Sequence, residues 1–260
     1  MGTALVESWL NLKSYSFTLV DPFNFKKLKN KFKNKKIKIL NNAPPQTEIK
    51  KFDIIIFAVK PQSADRVLSE YKDFEFKKNS IIGSIIAGKK IIFFQKRLKN
   101  ANQFVRIMPN MPALIRNGIS CFVSSNNLSV NNKKKINKLF LRVGKTVWFK
   151  NENQIDKATA VSGSGPGYIF ALINSFEKGA QKLGFSKNQS RELVLTTILG
   201  SIYLIQQTKK EPNELEKSIA VKGGTTEAGI KNLKSYNLDK IIYKTYMSAY
   251  QRAKILGKKN

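Results

Sequence analysis

The groups of this chain that can do chemistry fall in a few short segments, and what they suit is holding anions and flat rings. FAVKPQ (57–62) places Lys60 and Pro61 directly after an apolar run. The proline forces an extended exit from the preceding residue, and ligands of doubly wound sheets sit outside the carboxyl ends of strands; an ordinary strand-to-helix turn is the alternative. SIIAGK (84–89) ends another apolar run in small residues, which let a ring approach the backbone closely, although such a glycine is also common for purely structural reasons. In VRIMPNMPA (105–113), Pro109 and Pro112 flank Asn110 and make a rigid loop that packing alone does not call for; a purely structural loop is the alternative. VSGSGPGY (161–168) and VKGGTTEAG (221–229) each set Gly with Ser or Thr just before a helical pattern. Open amides and the positive end of a helix dipole would make either turn an anion site. Thr225 or Thr226 would cap the second helix, with Glu227 in its first turn, and simple capping explains much of that segment.

Composition removes most other chemistries. With no His, the chain lacks the base of Ser-His-Asp and Cys-His mechanisms and of HExxH zinc sites. A single Cys121 makes no internal disulfide or multi-cysteine metal site, so no metal is expected and the chain reads as cytoplasmic. The longest apolar runs, Ile54 to Val59 and Ile81 to Ala87, fall far short of the roughly 20 residues of a membrane span. MGTALVESWL has no basic leader before an apolar stretch and is not a secretion signal. The formal charge of +30 raises nucleic acid as a partner. Only seven of the 47 basic residues are Arg, however, and the Lys are spread along the chain, whereas base readout favours the Arg fork. The pattern is a compositional habit: no specific nucleic-acid or membrane partner is expected, only weak nonspecific attraction and a field that draws small anions.

These segments need elements to position them. With 260 residues and 42% hydrophobic content the chain can bury a core and is no disordered tail. From residue 16 to 149, short β-branched runs alternate with Lys-rich amphipathic stretches, which predicts βαβ units and a mostly parallel sheet. Strands are expected at 16–20, 36–40, 53–59, 80–86, 103–107, 119–124 and 146–149, and helices at 62–71, 89–98 and 131–143. DIIIFAV, apolar throughout, reads as a central strand covered on both faces. After Lys150 strand signals nearly vanish and helical spacing takes over, with breaks near 184–187, 209–212, 222–225 and 236–238. The fold class expected is α/β followed by all-α: a dinucleotide-binding type of domain over 1–150 and a helical domain over 151–260. The apolar stripes of the two long helices are too wide for one contact face, which points to burial against a second copy; filling the intramolecular core is the alternative.

In this order the segments FAVKPQ, SIIAG, VRIMPNMPA, SGSGPGY and KGGTTEAG resemble the pyrroline-5-carboxylate reductase family over essentially the whole chain, most strongly over 53–118 and 156–235. The resemblance implies a Rossmann-like doubly wound sheet, a C-terminal dimerisation domain, and reduction of 1-pyrroline-5-carboxylate to L-proline with NADPH or NADH, the last step of proline biosynthesis. It implies cofactor contacts at Gly2, Asp21, Ala58, Val59, Lys60, Pro61, Ala87 and Asn110. Gly224, Thr225 and Thr226 would hold the substrate carboxylate, with Glu152 and Ser164 near the substrate; Thr226 and Ser164 are the expected catalytic groups. A homodimer with a shared substrate cleft, able to assemble into decamers, is implied as well.

The chain departs from the family pattern at three places. Met1-Gly2 matches the end of the family's GxGxMG turn, so the first strand and two loop glycines have no counterpart, and an upstream start codon is expected to supply them. Val221 and Lys222 stand where serine and proline are usual. Asp21 favours the ribose diol of NADH, while Lys26 and Lys27 favour a 2′-phosphate. The competing readings are a related imine or hydroxyacid reductase, and a truncated, inactive dimerising homologue.

Overall fold

The computed structural model describes residues 1–258. They form two compact units: Met1–Ser164 together with the chain from Ala249 on, and Gly165–Ser248. The first unit carries all seven strands, each within a few residues of its expected place. They are β1 (Phe17–Val20), β2 (Ile37–Leu40), β3 (Ile54–Phe57), β4 (Ile81–Ser84), β5 (Gln103–Pro109), β6 (Gly118–Ser124) and β7 (Gly144–Trp148). Helices α1 (Gly2–Trp9), α2 (Phe25–Lys31), α3 (Gln46–Ile49), α4 (Ala64–Ser69), α5 (Ile91–Arg97), α6 (Val130–Phe140) and α7 (Glu152–Ala158) alternate with them.

Five strands pair in the order β3-β4-β5-β6-β7, parallel except for the antiparallel β5–β6 step, while β1 and β2 form a separate parallel pair. The apolar runs follow from burial on both faces, because successive side chains point to opposite sides of a strand. Ile55 and Phe57, Ile82, Phe104 and Val123 face one core, which includes Leu68, Phe93, Phe94 and Leu98. Ile54 and Ile56, Ile81, Val105, Ile107 and Phe122 face the other, with Leu5, Trp9, Ile136 and Phe140. One expectation is corrected. DIIIFAV is covered on both faces but is not central, since β3 is the edge of the five-stranded sheet. Its first three isoleucines are only half-buried, unlike the fully buried β4 beside it, because β1 hydrogen-bonds to β2 alone and leaves that flank of β3 without a ladder partner among the described residues.

Helix α6 shows how locally the elements are specified. Ser129 accepts the Asn132 amide at 3.2 Å as N-cap, and Ile136, Leu139 and Phe140 recur at helical spacing on the buried side. The indole of Trp9 donates 2.9 Å to the Leu139 carbonyl, tying α1 to α6.

The second unit is helical: α8 (Gly165–Lys182), α9 (Lys187–Thr208), α10 (Pro212–Ile219), α11 (Thr225–Ser235) and the first part of α12 (Leu238–Lys258). Each break lies where the sequence placed it. Ser186 and Gln189 form a reciprocal capping box on α9, and Pro212 opens α10 at the position where a missing N–H costs nothing. No helix among the described residues is long and apolar enough to cross a membrane.

Candidate active site

Because β3, β4 and β5 are parallel and in register, with Phe57 opposite Ser84 and Ser84 opposite Arg106, their carboxyl ends open on one edge of the sheet. The expected dinucleotide residues Ala58, Val59, Lys60, Pro61, Ala87 and Asn110 all lie in these three exits. After β3 the chain leaves through Ala58 and the extended Lys60, and Pro61 begins a 3₁₀ turn that leads into α4. Ala58 and Lys60 are exposed. Gly2, the first residue of α1, approaches so closely that a Cβ there would lie 3.2 Å from that of Ala58. Helix α1 has no side-chain cap, so its first-turn amides and positive dipole end lie beside the β3 exit.

After β4, Ala87 is followed by Gly88 at φ +76°, a conformation that side chains rarely adopt. A Cβ on Gly88 would meet that of Leu256 in α12 at 3.0 Å. Beyond it, Lys89 is buried with its ammonium 4.0 Å from the Phe93 ring centre and 3.8 Å from Asp65.

After β5, Asn110 spans the last rung of the sheet. Its N–H donates to the Ile119 carbonyl at 3.2 Å, and its side-chain oxygen accepts the Ile119 amide at 2.8 Å. The Ala113 amide returns to the Asn110 carbonyl at 3.1 Å. Three hydrogen bonds thus tie the start of the double-proline loop to the sheet and to its own turn. Asp21, at the end of β1, uses its carboxylate in its own turn, accepting the Phe23 and Asn24 amides at 3.1 and 3.0 Å and the Asn24 side chain at 3.0 Å.

Sequence reasoning named Glu152 but missed the charged cluster it joins behind these loops. Arg106 on β5 is 4% exposed and donates 2.7 Å to Asp156 and 3.4 Å to Glu152. Both acids stand on α7, four residues apart and hence on one face. Glu152 also accepts the Ile91 amide at 2.9 Å. A lone Arg inside the apolar QFVRIMP and a Glu-Asp pair at helical spacing were the available signals.

The two glycine-rich segments behave differently from each other. The 161–168 segment is not an open turn: Thr159–Gly163 is a single π-helical turn, and the Ser164 amide already donates to Thr159 at 2.8 Å. The reason is close approach, since a Cβ at Gly163 would fall 3.0 Å from the Met108 side chain, and the wider turn places the glycine there. Ser164 follows as its cap and ends the first unit.

The 221–229 segment does open a helix, but neither threonine caps it. Gly224 is the N-cap of α11, with Thr225 and Thr226 as its first two helical residues. Gly223, at φ +78°, supplies the reversal that places the cap one or two residues earlier than expected. Its amide donates 2.8 Å to Glu227, which also pairs with Lys231 at 3.0 Å. These two contacts, the amide first, hold the Glu227 carboxyl below the usual glutamate range. The amides at the start of α11 have no side-chain cap, which leaves the arrangement fit to receive a carboxylate.

No thiolate chemistry is set up: Cys121 is buried 3.8 Å from the Ser162 hydroxyl, and burial pushes its thiol up. Among the described residues no three His, Cys, Asp or Glu are grouped to hold a metal.

Comparison with known proteins gives these features a family. The pattern described as pyrroline-5-carboxylate reductase dimerisation matches residues 152–256. The pyrroline-5-carboxylate reductase of Pseudomonas aeruginosa is 33% identical over 201 residues, 77% of this chain and 73% of that protein. That of Aquifex aeolicus is 33% identical over 204 residues, 78% and 75%. The crystal structure of Plasmodium falciparum pyrroline carboxylate reductase with NADP bound matches at a TM-score of 0.83 and 27% identity, covering 99% of this chain and 94% of that one. The reductase of Coxiella burnetii matches at 0.87 and 27% identity, over 98% and 94%. In sequence and in fold alike, this chain belongs to the pyrroline-5-carboxylate reductase family.

Proposed function

We propose that the chain reduces the ring C=N bond of 1-pyrroline-5-carboxylate to give L-proline, with NADPH or NADH as reductant. The observation that carries this reading is the convergence of the β3, β4 and β5 exits on one sheet edge, in a chain a third identical to reductases of that name. The residues present fit a dinucleotide. Small side chains at Gly2, Ala58 and Ala87 leave room for flat rings, and the uncapped start of α1 suits a phosphate. Val59, Lys60, Pro61 and Asn110 complete the wall, and the exposed Lys60 ammonium adds charge. In this reading Asp21 reads the ribose, with Lys26 and Lys27 a few residues further along the chain.

When bound, the dinucleotide supplies the hydride, so the protein's task is to position and to exclude water. At the start of α11, Gly224, Thr225 and Thr226 hold the substrate carboxylate through amides and a hydroxyl. The Thr226 hydroxyl orients the protonated ring nitrogen, so that the imine carbon takes the hydride while nitrogen keeps its proton. Ser164 and Glu152 border the substrate. None of these steps needs a histidine.

The helical unit self-associates, in keeping with the dimerisation pattern over 152–256. In the same reading the protein works in the cytoplasm on a small molecule, as a homodimer able to build decamers, without a specific nucleic-acid or membrane partner. Oxidation of NADPH and of NADH dependent on 1-pyrroline-5-carboxylate, measured side by side, tests the reaction. Turnover with either cofactor is expected. Its absence in a folded, self-associated protein would sink the reductase reading and favour a catalytically silent dimerising role.

A further inference from the structure

Helix α5 starts directly after the Ala87–Lys90 loop, and none of its own neighbours caps it: Lys90 is the N-cap and makes no side-chain cap bond. The first amide of the helix, that of Ile91, is satisfied from a distant element, by the Glu152 carboxylate at 2.9 Å. A carboxylate at a helix start is favoured by the dipole, but Glu152 is a long flexible side chain whose rotamers must be frozen to serve. What freezes it is Arg106. The same Glu152 oxygen that takes the Ile91 amide lies 3.4 Å from the Arg106 guanidinium, which is itself fixed by Asp156 at 2.7 Å and enclosed within β5. The rigid centre of the sheet is therefore linked, through one carboxylate, to the start of α5. On the other side the loop is held by packing, since Gly88 lies against Leu256. A cavity of about 100 Å³, lined by Lys90, Asn153, Asp156 and Lys254, lies beside this cluster.

An arginine buried in a strand with two carboxylates is a costly arrangement: its desolvation offsets much of its attraction, and apolar residues of the same volume would often be at least as stable. Stability is thus a weak reason for its presence here, and the link to Ile91 supplies another. We propose that Arg106 is a positioning residue for the reduction: through Glu152 it fixes the Ile91 amide and with it the Ala87–Lys90 loop on which the dinucleotide ring rests. This rests on the placement of Ala87 in the dinucleotide site proposed above. Arg106 touches neither reactant. It sets how well the loop is pre-formed, so its effect falls on cofactor binding rather than on the chemical step.

Arg106→Lys, which keeps the charge and loses the fork, is the first test, in the full chain. Direct titration with NADPH and NADH is expected to show affinity reduced by roughly fivefold or more. The maximal rate at saturating cofactor should stay within about twofold of the unsubstituted protein. Backbone amide exchange over residues 87–92 should quicken by about tenfold while β5 stays protected. Should Arg106→Lys fail to fold, Asp156→Asn, which weakens the 2.7 Å anchor of the guanidinium, gives the same affinity and exchange readouts. Lower thermal stability with unchanged cofactor affinity and unchanged exchange at 87–92 would reduce Arg106 to a structural part and overturn the proposal. So would a loss confined to the KM for the imine. If the unsubstituted chain binds neither dinucleotide, the reductase reading falls, and this inference with it; if it binds and the variants bind equally well, only the inference falls.

Discussion

A hydroxyl in the first turn of a helix, where Thr226 stands in α11, can reach a ligand held by the amides beside it. Valine has the same shape without the hydroxyl and leaves those amides in place. Thr226→Val therefore isolates one hydrogen bond to a charged group, worth about 1.5–3 kcal/mol. Turnover is expected to fall by more than about tenfold with NADPH and NADH affinity unchanged, and an unaltered rate in steady-state kinetics would remove Thr226 from the chemistry. Gly88 makes a different demand. Its φ of +76° and the 3.0 Å approach to Leu256 leave no place for a methyl group. Gly88→Ala should cost about 1–2 kcal/mol from the backbone alone and lower the thermal midpoint by about 2–8 °C, with weaker dinucleotide binding. Calorimetry that finds the variant as stable as the parent would show that the loop can move away from α12.

Helix α11 links a local charge to the shape of the turn before it. Glu227 is held ionised by the Gly223 amide and by Lys231. A carboxyl depressed in the folded state contributes stability that is present above its unfolded pKa and is lost as the pH falls through the folded value. The turn before α11 should therefore be insensitive to pH from neutrality down to about 5 and loosen below the ordinary glutamate value of about 4.3. The Gly223 amide resonance should follow that titration by NMR, and in Glu227→Gln the low-pH step should vanish. Elements of this kind were only partly legible in the sequence. Strands β3 to β6 could be read because burial on both faces makes them continuously apolar, and the breaks in the helical half because Gly, Pro and capping residues act locally. The edge position of β3 could not be read, since pairing is long-range and leaves no mark in a run such as DIIIFAV. The α11 cap was misplaced by one or two residues because a positive φ at Gly223 competes with the usual preference for threonine. Arg106 and the Glu152–Asp156 pair each left a local signal, but their link to Ile91 could not be read because its members come from three elements distant in sequence.

At the scale of the whole molecule the two units are stabilised very differently. The first has a packed core on each face of the five-stranded sheet and a smaller one around Val6, Leu28 and Phe32. In residues 165–248, by contrast, Ser190 is the only fully buried residue. Phe170, Phe176, Leu199, Ile202 and Tyr203 are each between 45% and 57% exposed, far more apolar surface than a monomer commonly leaves in water. Helices that lack a core of their own draw their stability from association, which agrees with the dimerisation pattern matched over 152–256. Unfolding of this unit should then be coupled to dissociation. Its thermal midpoint, followed by circular dichroism at 222 nm, should rise with protein concentration, and sedimentation should find no stable folded monomer. Phe176→Glu combined with Ile202→Glu would place two charges on that surface, each costly to bury without a partner. The double variant should lose helical content as it loses self-association, while the sheet unit keeps its tryptophan fluorescence. A variant that stays fully helical as a monomer, or a parent whose midpoint ignores concentration, would mean that α8 and α9 are stable with their apolar faces in water, and the account of this unit as half of a shared core would fail.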